Sequence, residues 1–286
     1  MSKKGLKTPL RYPGGKSRAC TKMGQFFPDL REYVEFREPF LGGGSVAIHV
    51  SKLYPHLKIT VNDLYEPLIN FWMNLQMFGD ELSTNLKNLK IAHPNQDSAR
   101  CLFAEMKDVI NDSTQSNLDR AVAFYVVNKC SFSGLTESSS FSAQASDSNF
   151  SMRGIEKLVG YQEIISNWHI NSYSYEYCFR TDVHDGLFMY LDPPYDIKDN
   201  LYGKKGSMHK SFDHDKFAAD CDEHNNINML ISYNSDQLVK DRFKNWNASE
   251  FQLTYTMRSV GEYMREQQER KELLLFNYKL GGVLDG

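Results

Sequence analysis

Between Tyr33 and Asp63 the chain runs YVEFREPF, then Gly42-Gly43-Gly44, then SVAIHVSKLY, then the β-branched run Lys58–Val61 closing in Asn62-Asp63. The order is strand, glycine turn, helix, strand, acid. It confines the chain to an α/β fold whose first βαβ unit is of the nucleotide-binding kind. A strand feeding a helix turns sharply, and a backbone without Cβ lets a ligand approach while the helix N-terminus faces it. Asp63 lies 19 residues beyond Gly44, at the end of the second strand, where a carboxylate can accept both ribose hydroxyl protons. It is equally placed to cap the helix that begins in LYEPLINFW. The turn lacks the full G-x-G-x-x-G pattern, because Val46 and Ala47 follow it, and no G-x-x-x-x-G-K-[ST] sequence is present. Both departures favour an adenosyl cofactor without a pyrophosphate, S-adenosylmethionine, over NAD or ATP.

Leu187–Leu191 reads as a short buried strand that ends in Asp192-Pro193-Pro194-Tyr195. Two consecutive prolines remove two N–H donors and fix φ, so the turn is rigid and leaves carbonyls unpaired. One carboxylate and one aromatic face flank them, a set that suits a planar ring bearing an exocyclic amine. The amine would donate to the Asp192 side chain and to the Pro193 carbonyl while the ring stacks on Tyr195. A plain Pro-Pro turn with a packed tyrosine stays open at this point.

The 286 residues are 41% hydrophobic and 13% aromatic, enough to bury a core and to exclude disorder as the main state. The longest strictly apolar stretch, Ala121–Val127, is far below the ~20 residues of a bilayer span, and the start shows no secretory signal. Five scattered cysteines without a C-x-x-C pair read as reduced thiols of a cytoplasmic protein. The eight histidines show no metal-ligand spacing, and His209 and His214 are expected to face solvent. Net charge is −3, yet residues 1–36 hold eight basic side chains against three acids, a local basic face fit for phosphate or a solvated arm. From Pro67 to about Ser166 apolar residues recur at helical spacing, ending in a Ser-rich tract that reads as a loop or a polar hairpin. Asn228–Ser232 reads as another strand, and Leu253–Met257 with Leu273–Tyr278 as a closing antiparallel pair.

Taken together, RYPGGKSRA, EPFLGGGSV, VNDLYEPLINFW, AVAFYVVNKCSFSGL, LDPPY, LISYN and KELLLFNYK resemble the Dam-type DNA adenine-N6 methyltransferases, in the motif order of their alpha group. The resemblance implies a Rossmann-like S-adenosylmethionine-dependent methyltransferase fold: a mixed sheet with helices on both faces and a helical plus β-hairpin target-recognition insertion. Residues 1–66 and 166–286 would form the catalytic domain and 67–165 the insertion. It implies that Asp192, Pro193, Pro194 and Tyr195 are catalytic. Tyr12, Lys16, Phe40, Gly42, Gly44, Asp63 and Asp192 would bind S-adenosylmethionine, released as S-adenosylhomocysteine. Arg11, Asn128, Lys129 and Ser133 would contact double-stranded DNA. Lys204, Lys205 and Lys210, in the loop after the tetrapeptide, read either as phosphate contacts or as plain solvated side chains. No metal and no membrane is implied, and a cytoplasmic monomer of a bacterial or phage-infected cell is expected. The serine tract lacks the arginine and asparagine pattern with which the family reads GATC, which argues against that target; serines and Gln144 would read bases more weakly or through water.

The expected reaction is direct methyl transfer to an adenine flipped out of the duplex, since N6 is out of reach inside the stack. Cytosine N4 and adenine in RNA present the same exocyclic amine and remain alternatives. So do a non-catalytic DNA-binding relative and a small-molecule methyltransferase, although the last leaves the helical insertion and basic start unused.

Overall fold

Strand β1 (Glu35–Glu38) is buried along its whole length although three of its four residues are charged. Each of these side chains has an internal hydrogen-bond partner. The Arg37 Nε donates to Glu35 Oε1 at 2.7 Å, and its Nη1 donates to the carbonyls of Cys178 and Thr181 at 2.8 and 2.6 Å. Burial pushes the Glu35 carboxyl up, but bonds from Arg37, Thr60 and His184 outweigh it and hold the group at about 2. Glu38 Oε2 accepts the backbone N–H of Ala47 at 2.8 Å.

The computed structural model describes residues 7–12, 15–134, 136–195, 212–253 and 270–280. Besides β1, its strands are β2 (Lys58–Asn62), β3 (Trp168–Asn171), β4 (Leu187–Leu191), β5 (Asn228–Asn234), β6 (Asn247–Leu253) and β7 (Arg270–Phe276). They form a seven-stranded sheet in the order β3-β2-β1-β4-β5-β7-β6. The pairs β1–β2, β1–β4, β2–β3 and β4–β5 are parallel, and β7 lies antiparallel between β5 and β6. The chain adds β2 and β3 on one side of β1 and then returns to lay β4 on the other. At such a reversal the loops leaving the carboxyl ends of adjacent strands part, and a crevice opens between them. Here it opens between Glu38 and Leu191.

The helices are α1 (Cys20–Met23), α2 (Ser45–Leu53), α3 (Glu66–Ala92), α4 (Gln96–Val109), α5 (Asn117–Cys130), α6 (Ala143–Ser148), α7 (Met152–Glu156), α8 (Leu158–Ile164), α9 (Glu176–Arg180), α10 (His214–Glu223) and α11 (Gln237–Arg242). One apolar cluster joins Phe36, Val61 and Tyr190 of the sheet to Trp72 of α3 and Phe124 of α5; the other face buries Met189 and Ile231 under Phe217 of α10. Helix α5 is buried almost all round, which is why its apolar residues run continuously instead of forming a stripe. Among the described residues no helix is long and apolar enough to cross a membrane.

Two expectations need correction, and one strand was absent from the sequence reading. After α5 the described residues form no pair of hairpin strands: they hold one isolated antiparallel bridge, Ser131–Phe141, and then α6 and α7, each capped by a serine (Ser142, Ser151). Serine side chains that cap short helices account for the composition that suggested a loop. Strand β3 was not legible, because WHIN is polar and only Trp168 is buried at this sheet edge. The partner of β7 is NASEFQL, ending at Leu253 where the expected strand began; residues 254–269 lie outside the described residues.

Candidate active site

The turn after β1 is shaped by the side chains that press on it. Gly42 and Gly44 take φ of +48° and +66°, left-handed values that side-chain-bearing residues adopt at a cost. A Cβ on Gly42 would stand 2.9 Å from the Tyr12 ring, and one on Gly44 2.7 Å from the Trp72 ring. Trp72 Nε1 also donates to the Gly42 carbonyl at 3.3 Å. Tyr12 thus lies against Gly42 and Gly43 on the open side, while Gly44 meets α3 behind the turn. Asp63 clamps the same turn: Oδ2 accepts the Gly42 N–H at 2.9 Å and Oδ1 the Tyr65 N–H at 3.0 Å. Burial raises the Asp63 carboxyl to about 6, opposed in part by these backbone donors.

At the carboxyl end of β4, Asp192 is held from two sides. Lys16, in the short 3₁₀ turn Lys16–Arg18, is 2% exposed, and its Nζ lies 2.8 and 2.9 Å from Asp192 Oδ1 and Oδ2. Ser232 of β5 donates to Oδ1 at 2.6 Å. That use of the single Ser232 proton makes the Tyr190 hydroxyl the donor in their 2.8 Å contact. Each carboxylate oxygen has two lone-pair sites, so among the described residues Oδ2 keeps one open. Lys16 therefore meets the tetrapeptide itself.

Tyr195 is held by its hydroxyl as well as its ring. The hydroxyl accepts from Lys16 Nζ at 2.7 Å and donates to Glu272 Oε2 of β7 at 2.7 Å. The ring lies 6.0 Å from that of Tyr233 at 26°. Tyr233 in turn bonds His214 Nδ1 at 2.6 Å, so His214 is a half-buried helix residue and not a solvent-facing one; His209 lies outside the described residues.

One cavity of about 410 Å³ joins the two halves. Tyr12, Gly42, Gly43 and Asp63 line one part, Lys16, Glu38, Asp192 and Pro194 another. Phe40, Tyr175 and Phe212 form an aromatic end, with Phe40 and Tyr175 stacked at 5.5 Å and 29°. Glu38, Ser232, Glu272 and Tyr175 were not singled out from sequence. The signals for the first two were present, Glu38 in EPF and Ser232 in LISYN, but nothing local marks a glutamate in a closing strand.

The expected DNA contacts divide. Asn128 is fully buried; its Oδ1 accepts the Arg11 N–H at 2.9 Å and its Nδ2 donates to the Arg11 carbonyl at 2.7 Å. It is an internal staple for the N-terminal segment and not a DNA-facing group, because both its polar atoms are spent on backbone. Arg11 is half-buried and donates from Nη1 to the Ser131 carbonyl at 2.7 Å. Lys129 is half-buried with Nζ 5.2 Å from the Tyr125 ring centre; burial, then Arg11, lowers it to about 7. Ser133 lies in the one-turn helix Phe132–Gly134, and Gln144 is exposed on α6. Lys204, Lys205 and Lys210 lie outside the described residues.

Sequence comparison addresses the chemistry directly. Residues 12–257 match the family of D12 class N6 adenine-specific DNA methyltransferases. The type II methyltransferase M1.LlaDCHI of Lactococcus lactis subsp. cremoris is 22% identical over 291 residues, 97% of each chain. The type II methyltransferase M.CviBI of Paramecium bursaria Chlorella virus NC1A is 22% identical over 203 residues, 69% of this chain and 72% of that one. The DNA N-6-adenine-methyltransferase of Escherichia phage P1 is 26% identical over 126 residues, 44% of this chain and 15% of that protein. A match that spans both the glycine turn and the proline corner, over most of the chain's length, has one meaning: this protein belongs to the D12 class N6 adenine-specific DNA methyltransferases.

Proposed function

We propose that the cavity binds S-adenosylmethionine against the glycine turn and receives, at the proline corner, an adenine flipped out of double-stranded DNA. The observation that carries this reading is the single cavity shared by Gly42, Asp63 and Asp192. Its residues fit the cofactor chemically. Asp63 presents a fixed carboxylate for a ribose, the Phe40–Tyr175–Phe212 end suits a flat purine, and Glu38 and Asp192 put acidic groups beside the remaining space. S-adenosylmethionine, when bound, supplies a methyl already activated on a sulfonium.

The chain's own residues then supply position and polarity. Asp192 Oδ2 and the Pro193 carbonyl accept hydrogen bonds from the two N6 protons, which draws the nitrogen lone pair out of the ring and aims it along the cavity, and one of those protons leaves as the N–CH3 bond forms. Lys16 and Ser232 hold the Asp192 carboxylate in that orientation. Pro194 and Tyr195 give the purine a rigid wall, and stacking of about 1–3 kcal/mol offsets part of the flipping cost. Reacting atoms held about 3–3.5 Å apart need little further help, so no covalent enzyme intermediate is required. Arg11, Lys129 and Ser133 lie on the N-terminal and insertion segments that would meet the duplex, and Asn128 acts through Arg11. Expression in a methylation-free host followed by genome-wide mapping of modified bases tests the reading. N6-methyladenine in a fixed sequence context supports it; N4-methylcytosine or unmodified DNA overturns it.

A further inference from the structure

Glu38 is a buried acid with an unexplained charge. It is 3% exposed, yet it lines the cavity, and its bonding consists of one Oε2 contact from the Ala47 N–H at 2.8 Å. Among the described residues no cation forms an ion pair with it. Lys16, the cation nearest in effect, is committed to Asp192 and Tyr195. A buried carboxylate without a counter-charge is costly, and such a group either takes up a proton or waits for a cation to arrive. The cavity is where a cation would arrive.

We propose that Glu38 is the counter-charge for the sulfonium of S-adenosylmethionine and carries a proton whenever that positive charge is absent. The inference rests on the reading that this cavity takes S-adenosylmethionine. Position favours the sulfonium over the amino group of the same molecule. The methyl must be delivered beside Asp192, and Glu38 closes the strand that pairs with β4, which runs directly into Asp192; both carboxylates line the same cavity, with Lys16 and Asp63 the other charged groups around Glu38. Cys20 of α1 and Tyr190 of β4 also face it, and both are held neutral by burial. Desolvation raises the Glu38 carboxyl well above its ordinary range, and the Ala47 N–H opposes this only in part. Loss of the methyl leaves a neutral thioether, and the methylated N6 gives up one of its two protons, so Glu38 would regain a proton as the product forms and loosen its hold on the cofactor.

The test is calorimetry of the full chain with S-adenosylmethionine and with S-adenosylhomocysteine, in two buffers of different ionisation enthalpy. At about pH 7.5 Asp63, raised to about 6, is already mostly ionised and contributes little. Binding of S-adenosylmethionine should release about one proton, and binding of S-adenosylhomocysteine far less. Glu38→Gln keeps an acceptor for Ala47; it should abolish the release and move the affinity ratio of the two ligands against S-adenosylmethionine by about tenfold. Wild-type binding without proton release, equal release with both ligands, or an unchanged ratio in Glu38→Gln overturns the proposal. The wild-type arms decide even if the variant fails to fold. Failure of the wild-type chain to bind either ligand removes the cofactor reading itself, and the proposal with it.

Discussion

The ammonium of Lys16 reaches both carboxylate oxygens of Asp192, at 2.8 and 2.9 Å, across 176 positions of sequence. The contact ties the N-terminal segment to the end of β4 and sets the direction in which Asp192 Oδ2 keeps its open acceptor site. Lys16→Met should therefore lower turnover by roughly a hundredfold or more, as loss of a preorganised charged group does. Lys16→Arg should not rescue it, since a planar fork cannot reproduce a point charge shared by three oxygens. Single-turnover methylation of duplex DNA measures both.

The hydroxyl of Tyr195, between Lys16 and Glu272, gives the ring a fixed bearing. Tyr195→Phe keeps the stacking face but loses two bonds and should cost about 1–3 kcal/mol of transition-state stabilisation. Tyr195→Ala should cost more, mainly in capture of the flipped base. Fluorescence of a 2-aminopurine target separates the two: near-normal flipping in Tyr195→Phe, impaired flipping in Tyr195→Ala.

Gly42 and Gly44 take similar backbone shapes but meet different neighbours. A Cβ at Gly44 strikes Trp72 in the core, so Gly44→Ala should destabilise the fold by about 1–3 kcal/mol in chemical denaturation. A Cβ at Gly42 strikes Tyr12 on the cavity side, so Gly42→Ala should weaken cofactor affinity by more than its effect on unfolding.

Asp63 has a pH signature. Its folded pKa, about 6, lies above the ordinary 3.8, so the folded state binds the extra proton between those values. Its contribution to stability is complete below about 4 and is lost as pH rises through about 6. Cofactor binding has the opposite sign, because the ionised carboxylate is the better ribose acceptor: affinity should fall as pH drops below about 6. Asp63→Asn should flatten its part of both profiles, read by thermal unfolding and calorimetry.

Asn128 should behave as a structural residue. Asn128→Ala removes both bonds to the Arg11 backbone and should cost about 1–3 kcal/mol, with faster hydrogen exchange at the Arg11 amide. Because Tyr12 follows Arg11 into the cavity wall, cofactor affinity should fall together with DNA affinity.

The βαβ unit from Glu35 to Asn62 and the proline corner could be read from sequence because local chemistry dictates them: glycines where φ is positive, an acid at a strand end, two prolines after an apolar run. Less could be read where a residue's role depends on distant chain. Nothing near Asn128 says that its amide closes on Arg11, and nothing in KELLLF says that Glu272 meets Tyr195. Strand β3 escaped because an edge strand paired on one side does not need an apolar run, and the serine tract misled because capping serines look like linker serines. Lys16 was found only as a motif residue; its burial against Asp192 is a product of tertiary folding.

Nucleoside analysis of duplex DNA after incubation with labelled S-adenosylmethionine, run in parallel on the wild type and Asp192→Ala, probes the shared cavity most directly. The wild type should place label on N6-methyladenine, and Asp192→Ala should still bind the cofactor while losing nearly all label. Near-wild-type adenine methylation by Asp192→Ala, or label on cytosine N4 from the wild type, would contradict it.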